Sequence, residues 1–327
     1  MHIGWITPTV GCFGAVREMV EVSNVLIARG HRVTIYHPDG GPVVWLPYQG
    51  ETAPLKQARR APVDAMIGIV DWQPELYRAL RASRAAVQAV CLMGFDPTPE
   101  LAAVLRGEQN TDNRALRVMR DAIQDPAVHV LADGAWQLDW VRRQVGAEVG
   151  VAFGGVNTEM FRPAPGRRPG PIRIGASGDP RSRKGSDVVA AAVALVREEH
   201  PRVEFQTYWG RRLTQEQLVA FYQDCDLFVD AHRRGGWCNP VVEAMACGCA
   251  VVCTRIGATE AVAEEGVTAR VVPVDDPEAL AAAIGWLLGD GERIRRLSDA
   301  AVARAAEYDY RRVVPELERY LLEKVHG

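Results

Sequence analysis

Several features are scarce in this 327-residue sequence, and each scarcity excludes a class of protein. The formal net charge is only −3, so no overall field attracts nucleic acid or an anionic membrane. The seven cysteines are odd in number and form no paired C-x-x-C spacing, which argues against a disulfide framework or a zinc site. No uncharged apolar run approaches the roughly 20 residues that span a bilayer, and no signal core is present. We therefore expect a cytoplasmic protein whose membrane contact is at most peripheral.

Lysine is also scarce. Of the 38 basic side chains only Lys56, Lys184 and Lys324 are lysines, and the other 35 are arginines. A lysine at a loop next to a predicted helix start therefore marks a position where a compact, mobile charge is favoured over a planar guanidinium.

Short apolar, β-branched runs alternate with segments of helical period along the whole chain, which predicts an α/β fold built from parallel βα units. The first half has predicted strands at 2–7, 32–37, 65–70, 86–93, 128–132 and 149–153, and helices at 15–29, 74–83, 113–124 and 135–144. The second half has predicted strands at 172–177, 203–209, 227–231, 250–254 and 269–274, and helices at 185–199, 214–224, 240–247, 277–288 and 311–325.

The segment 154–171 contains eight Gly or Pro in eighteen residues, a density that interrupts regular structure. It separates two predicted Rossmann-like, doubly wound domains, residues 1–154 and 172–310, with a linker at 155–171. The C-terminal helix within 311–327 is expected to complete the first domain. Ligands of open parallel sheets bind at the carboxyl ends of the strands, so we expect a cleft between the domains.

A glycine-containing turn follows the first predicted strand. Gly11 and Gly14 let the backbone approach a phosphate at a helix N-terminus, although a tight turn alone also explains them. Their spacing is neither G-x-G-x-x-G nor a Walker loop. An NAD-dependent oxidoreductase is therefore the weaker interpretation of this fold class.

A cationic turn follows the first strand of the second half. Arg181, Arg183 and Lys184 precede a predicted helix, where positive charge opposes the helix dipole unless an anion is bound. This pattern favours a phosphate site over a solvated basic loop.

The segment 235–248 is a third candidate binding region, after the glycine-containing turn and the cationic turn. Asn239 is suited to cap the helix and Pro240 to occupy its first position. Glu243 lies one residue beyond the capping-box position, and a carboxylate there can accept two hydrogen bonds from a sugar diol.

The segment 236–248, continued by 250–257 and 272–280, resembles the donor-binding half of GT-B glycosyltransferases of family 4, also called group 1. Residues 155–163 are similar to the interdomain segment of that family, and residues 29–34 to its first helix–strand junction. The resemblance implies a GT-B fold and transfer of a sugar, with retention and without metal, from a nucleotide-diphosphate donor to an acceptor hydroxyl.

The resemblance also implies roles for individual residues. Glu243 corresponds to the ligand of the nucleotide ribose and Lys184 to a ligand of the diphosphate, with Arg181 or Arg183 beside it. The remaining implied donor contacts are the backbone of the segment Trp237, Cys238, Asn239, Pro240 and Val241 at the sugar and diphosphate, Gly210 and Arg211 at the base, and Gly11 and Gly14 at the diphosphate.

Three positions depart from the family pattern. Gly235 stands where a second carboxylate is usual, and Asp179 where an arginine is usual. The histidine that the family usually has in the first domain has no counterpart in this sequence. Asp96 is the nearest polar residue and is the candidate for its catalytic role. His232, beside two arginines, is a second candidate for contact with donor or acceptor. These departures keep open a catalytically degenerate nucleotide-sugar-binding protein.

The identity of the co-substrate is only partly constrained. UDP is the commonest nucleotide of such families, with GDP and dTDP as alternatives. No further cofactor and no metal is expected. The partners are a nucleotide sugar and a hydroxyl-bearing acceptor, and the sequence determines neither the acceptor nor the oligomeric state.

Overall fold

The computed structural model describes residues 1–69, 73–93, 97–146, 148–166 and 170–327. They form two compact units: the first comprises Met1–Gly154 and Tyr310–Gly327, and the second Gly155–Asp309. Among the described residues, none of the helices combines the length and the apolar character that crossing a membrane requires.

The strands are β1 (His2–Ile6), β2 (Arg32–His37), β3 (Glu51–Pro54), β4 (Ala65–Gly68), β5 (Val87–Cys91), β6 (His129–Leu131), β7 (Arg173–Ala176), β8 (Glu204–Thr207), β9 (Leu227–Asp230), β10 (Ala250–Thr254) and β11 (Arg270–Val272). The helices are α1 (Gly14–Ala28), α2 (Pro74–Arg81), α3 (Pro99–Leu105), α4 (Arg114–Gln124), α5 (Ala135–Val145), α6 (Ser186–Glu199), α7 (Gln215–Gln223), α8 (Asn239–Ala246), α9 (Gly257–Glu260), α10 (Pro277–Leu288), α11 (Gly291–Glu307) and α12 (Tyr310–His326).

Each unit contains one parallel sheet. The first has the strand order β3-β2-β1-β4-β5-β6 and the second β11-β10-β9-β7-β8. In both sheets the order reverses beside the first strand of the unit, which is the doubly wound arrangement. The predicted α/β fold class is confirmed.

The C-terminal helix α12 packs within the first unit. Its residues Val314, Leu317 and Leu321 are completely buried and follow helical spacing. Glu318 on the same helix accepts hydrogen bonds from Arg29 and, at 2.7 Å, pairs with His31 Nε2 at the α1–β2 junction. Helix α12 therefore packs against α1 and the junction that follows it.

Several elements differ from the sequence prediction. Strand β3 was not predicted, because a short edge strand that ends in proline has little apolar alternation. The predicted strand at 149–153 contributes only an isolated bridge between Ala132 and Ala152. Helices α3 and α11 were also missed, although Thr98 and Asp290 cap their first turns in the usual way.

Candidate functional site

The loop from Gly178 to Gly185 lies at the carboxyl edge of the second sheet, between β7 and α6. Gly185 has φ +62°, and a Cβ atom there would stand 1.8 Å from the carbonyl oxygen of Ala231. Only glycine permits this approach, because neither the contact nor the dihedral angle suits a side chain. The cationic loop is thus packed directly against the residues that follow β9.

The end of this loop places Lys184 against a buried polar pair. Lys184 Nζ contacts His232 Nε2, and His232 Nδ1 lies 2.6 and 2.7 Å from the two carboxylate oxygens of Asp230. His232 and Asp230 are each 3% exposed. Burial lowers the pKa of Lys184, an effect that the nearby Cys238 and Asp230 partly oppose.

The two arginines of the loop have different surroundings. Arg181 forms an ion pair with buried Asp179, and its guanidinium lies 5.5 Å from the ring centre of Trp209. Burial alone would raise the pKa of Asp179, but the bonds from Arg181 outweigh it and lower the pKa. The carbonyl of half-buried Arg183 accepts the backbone N–H of Arg233 at 2.9 Å. Asp179, where the family usually has an arginine, thus holds an arginine beside it.

Helix α8 starts one residue earlier than the sequence prediction. Asn239 is already helical, Cys238 occupies the cap position without a side-chain cap bond, and Pro240 is the second helical residue. The prediction that Asn239 caps the helix was wrong. The carbonyl of Cys238 accepts the N–H groups of Val241 and Val242 at 3.0 and 3.2 Å, so the first turn is closed by backbone alone.

Glu243 lies on the buried face of α8 and is 4% exposed. One of its carboxylate oxygens accepts a hydrogen bond from the Tyr222 hydroxyl at 2.9 Å. Burial and the charge of Glu243 raise the pKa of Tyr222 and of neighbouring Tyr208, so both phenols stay protonated. The carboxylate orientation is therefore fixed by an aromatic cluster that sequence reasoning did not identify.

Trp237 and Gly235 lie in the loop between β9 and α8. The Trp237 indole N–H donates to the carbonyl of Gly155 at 3.2 Å, and its ring lies 5.4 Å from that of Tyr308. A Cβ atom built on Gly235 would meet nothing closer than His232 Cδ2 at 3.9 Å. The position that usually holds the second carboxylate therefore has room for a side chain.

The other predicted site residues lie farther along the two sheets or outside the described chain. Gly210 has φ +77° and, with exposed Arg211, follows β8 beside Trp209, which is 48% exposed. Gly11 accepts from the Phe13 N–H at 2.9 Å just before α1, and Gly14 is the first residue of that helix. Asp96 lies outside the described residues.

The structure brings Lys184, His232 and Asp230 together, and sequence reasoning had named only the first two. The available signal for Asp230 was its place at the last residue of a buried strand, two positions before His232. His129 is half-buried in β6 and bonded to the Tyr320 hydroxyl at 2.9 Å.

Asp230, His232 and Cys238 also meet the distance condition for a metal site, since their ligand atoms lie within 4.8 Å of one another. The hydrogen bonds disfavour this use. A metal would have to replace the proton on His232 Nδ1, and the proton would then sit on Nε2, facing the ammonium of Lys184. The donor set therefore fits a hydrogen-bonded network better than a metal centre.

A cavity of about 850 Å³ lies elsewhere in the second unit, at the residues that precede β9 and β10. Its lining includes Asp224, Asp226, Asp290, Glu292 and Asp299. So many carboxylates disfavour a diphosphate, and the amino edge of a parallel sheet is not its usual binding edge. The cavity is therefore not the candidate donor site.

Comparison with known proteins shows which proteins this chain resembles. Residues 192–290 match the family model described as "Glycosyl transferases group 1". Solved structures of similar fold include the sucrose-phosphate synthase of Thermosynechococcus elongatus, with a TM-score of 0.77, 16% identity and coverage of 98% of each chain. Another is Anabaena Alr3699/HepE in complex with UDP and glucose, with a TM-score of 0.71, 15% identity, and coverage of 99% of this chain and 100% of that one. The fold is that of the GT-B glycosyltransferases.

The relatives found by sequence are glycosyltransferases or mannosyltransferases by name. The chain is 33% identical to a D-inositol 3-phosphate glycosyltransferase of Corynebacterium urealyticum over 31% of this chain and 24% of that protein. It is 32% identical to an MMP alpha-(1->4)-mannosyltransferase of Mycolicibacterium hassiacum over 47% of this chain and 43% of the relative. A phosphatidyl-myo-inositol mannosyltransferase of Mycolicibacterium smegmatis is 24% identical over 100% and 95%.

The chain covers less than half the length of the first two of these relatives. The match over residues 192–290 confirms the resemblance to group 1 glycosyltransferases that the sequence predicts.

Proposed function

We propose that this protein is a glycosyltransferase that moves a sugar from a nucleotide-diphosphate donor to an acceptor hydroxyl, with its second unit binding the donor and its first unit the acceptor. The observation that carries the proposal is the carboxyl edge of the second sheet. There a lysine held by buried partners, a tightly packed glycine loop and the carboxylate of Glu243 lie on adjacent elements.

The chemistry required of the protein is mainly electrostatic. As the glycosidic bond to the diphosphate breaks, negative charge grows on the departing phosphate oxygens. Lys184, the arginines beside it and the backbone N–H of Asn239 at the start of α8 are suited to stabilise that charge. In the retaining mechanism implied by the resemblance, the departing phosphate oxygen takes the acceptor proton, so no protein base and no metal are needed.

The donor nucleotide is proposed to be UDP, with GDP and dTDP as alternatives. Alr3699/HepE has solved structures in complex with UDP and with UDP-glucose, which supports a uridine nucleotide. Two of the sequence relatives are mannosyltransferases by name, which supports a hexose as the transferred sugar. Glu243 is proposed to bind the ribose, and Gly210 and Arg211 to border the base.

A thermal-shift screen with UDP, GDP, dTDP and ADP tests the nucleotide assignment. A ligand at 100 times its dissociation constant stabilises the folded state by about 2.7 kcal/mol, so the correct nucleotide should raise the melting temperature clearly. The protein is then incubated with the matching nucleotide sugar, with and without EDTA, and the release of the nucleoside diphosphate is measured. Equal release in both samples is expected. No stabilisation by any nucleotide would contradict the proposal.

The second candidate function is a nucleotide-sugar-binding protein that has lost turnover, and Gly235 is the observation that favours it. Because the space around Gly235 is open, Gly235→Glu should fold and return a carboxylate to the usual position. If the wild type binds the nucleotide sugar without releasing product while Gly235→Glu does release it, the degenerate interpretation is correct. Gly235→Gln is the matched control, because it adds the same volume without the charge.

A further inference from the structure

Lys184, His232 and Asp230 form a chain of three groups whose proton positions follow from the geometry. A carboxylate only accepts hydrogen bonds, so the proton between Asp230 and His232 sits on Nδ1. In the neutral imidazole, Nε2 is then an acceptor and faces the ammonium of Lys184, which only donates. Both partners thus select the same tautomer of His232.

The backbone around this chain is fixed by contacts from two segments. The close packing of Gly185 on Ala231 joins the loop from Gly178 to Gly185 to the end of β9. The backbone N–H of Arg233 donates to the Arg183 carbonyl at 2.9 Å. The Arg233 guanidinium forms ion pairs with Asp187 at 2.7 Å and with Asp275 at 2.5 Å. The loop and the strand end therefore hold Lys184 and His232 in register.

We infer that Asp230 and His232 are positioning residues for Lys184. They hold its ammonium at the carboxyl edge through one hydrogen bond, and the other two N–H groups of the ammonium remain for the diphosphate of the donor. Among the described residues, His232 supplies the hydrogen bond that Lys184 Nζ makes. An ammonium has three N–H groups, so two remain for phosphate oxygens. This inference rests on the proposed function for the identity of the anion, but not for the geometry of the three groups.

The inference gives His232 a role other than direct contact with a substrate. Both of its ring nitrogens are bonded within the protein, and its side chain is buried. The effect of the Asp230–His232 pair on the donor passes through Lys184. A lysine without this support would have to lose rotamer freedom on binding, which weakens the contact with phosphate.

The sharpest test is Asp230→Asn, which keeps the shape but can donate a hydrogen bond to Nδ1. The other tautomer of His232 then places a proton on Nε2, facing the lysine ammonium. UDP affinity should fall roughly tenfold, which is part of the contribution that Lys184 makes to diphosphate binding, whereas uridine affinity stays unchanged. Asp299→Asn is the matched control, because it makes the same substitution at an exposed position of α11 in the same unit, away from Lys184 and His232, and it should bind UDP as the wild type does.

A pair of His232 variants separates positioning from simple packing. His232→Gln places an amide oxygen near the place of Nε2 and should keep UDP affinity within about threefold. His232→Asn retains a donor for Asp230 but does not reach Lys184, and should lose roughly tenfold. A purely structural role would instead lower the melting temperature and the affinity of both variants alike.

A nucleotide-independent measurement distinguishes failure of this inference from failure of the proposed function. With lysine labelled with ¹³C at Cε, the protein gives three lysine side-chain signals, because it has only three lysines. Asp230→Asn should shift the Lys184 signal and leave those of Lys56 and Lys324 in place. An unmoved Lys184 signal, or UDP affinity unchanged in Asp230→Asn while Lys184→Ala reduces it, overturns the inference. If the Lys184 signal shifts in Asp230→Asn but neither the variant nor the wild type binds UDP, the nucleotide assignment is overturned instead.

Discussion

The carboxyl edges of the two sheets share a topology but hold different ionisable groups. In the second unit, Lys184 and Arg181 are held by buried partners that lie on or beside the neighbouring strands. In the first unit, the corresponding region near the start of α1 holds two buried acids, Glu18 and Asp133. One Glu18 oxygen has no hydrogen-bond partner among the described residues.

Burial raises the pKa of Glu18 well above its usual range, and the nearby charge of Asp133 raises it further. The buried acid of the first unit is thus favoured in its neutral form, whereas the charge of Arg181 in the second unit is compensated by its ion pair with Asp179. The comparison teaches that a doubly wound sheet supplies the place for a ligand, while the loop residues decide which charge it accepts.

The largest expected effect lies in the second unit. Lys184→Ala should weaken binding of UDP by about 30- to 100-fold, because a charge-assisted hydrogen bond to phosphate contributes about 2 to 3 kcal/mol. Binding of uridine should change little. Calorimetric titration of both ligands checks this. Lys324→Ala, a lysine of the first unit, is the control, and equal losses for UDP and uridine would remove the phosphate role.

The next effect concerns the ribose. Glu243→Gln should reduce affinity for UDP and uridine about tenfold, since an ionised acceptor is replaced by a neutral one. Folding should be retained because the amide oxygen still accepts from Tyr222. Tyr222→Phe keeps the carboxylate and loses only this bond, so it should weaken binding less. Unchanged titration curves for Glu243→Gln would contradict the assignment.

In the first unit we expect a smaller effect, a substitution that raises the free energy of unfolding. Since the pKa of folded Glu18 is raised, the wild type loses unfolding free energy as pH rises from the usual glutamate range toward the folded value. Glu18→Gln should remove this dependence and stabilise the protein by about 1 kcal/mol at neutral pH. Urea unfolding at pH 5 and pH 8 measures both effects.

Glu75→Gln, in the exposed first turn of α2, is the control for this prediction. It should leave the pH dependence of unfolding as it is in the wild type. A Glu18→Gln protein that is less stable than the wild type at both pH values would show that the carboxyl makes a required contact.

The smallest effects separate the two units. Tyr320→Phe removes the 2.9 Å bond to His129 Nδ1 within the first unit, and Ser298→Ala removes the 2.6 Å bond to the Gly248 carbonyl within the second. Each should cost about 1 kcal/mol. Hydrogen exchange should show faster opening of β6 in the former and of β10 in the latter. Equal acceleration of both strands by either variant would show that the units do not open separately.

Much of the fold could be predicted from periodicity alone. Strand β2 and helix α10 have the predicted bounds, since alternation and helical spacing are uninterrupted there. Strand β3 and helix α3 could not be predicted, because four to seven residues offer too few repeats to identify a period. The cap of α8 was misplaced by one residue because Pro240 is compatible with both of the first two helical positions.

For the candidate site, the amino-acid sequence is enough to establish the α/β class, the cationic turn ending at Lys184 and the resemblance that includes Glu243. These follow from neighbours in the chain. Only the tertiary structure decided that His232 bonds Lys184 and Asp230, and that Tyr222 orients Glu243. The Lys184–His232 contact joins residues 48 positions apart, and the packing of β7 beside β9, rather than any local pattern, brings them within hydrogen-bond distance.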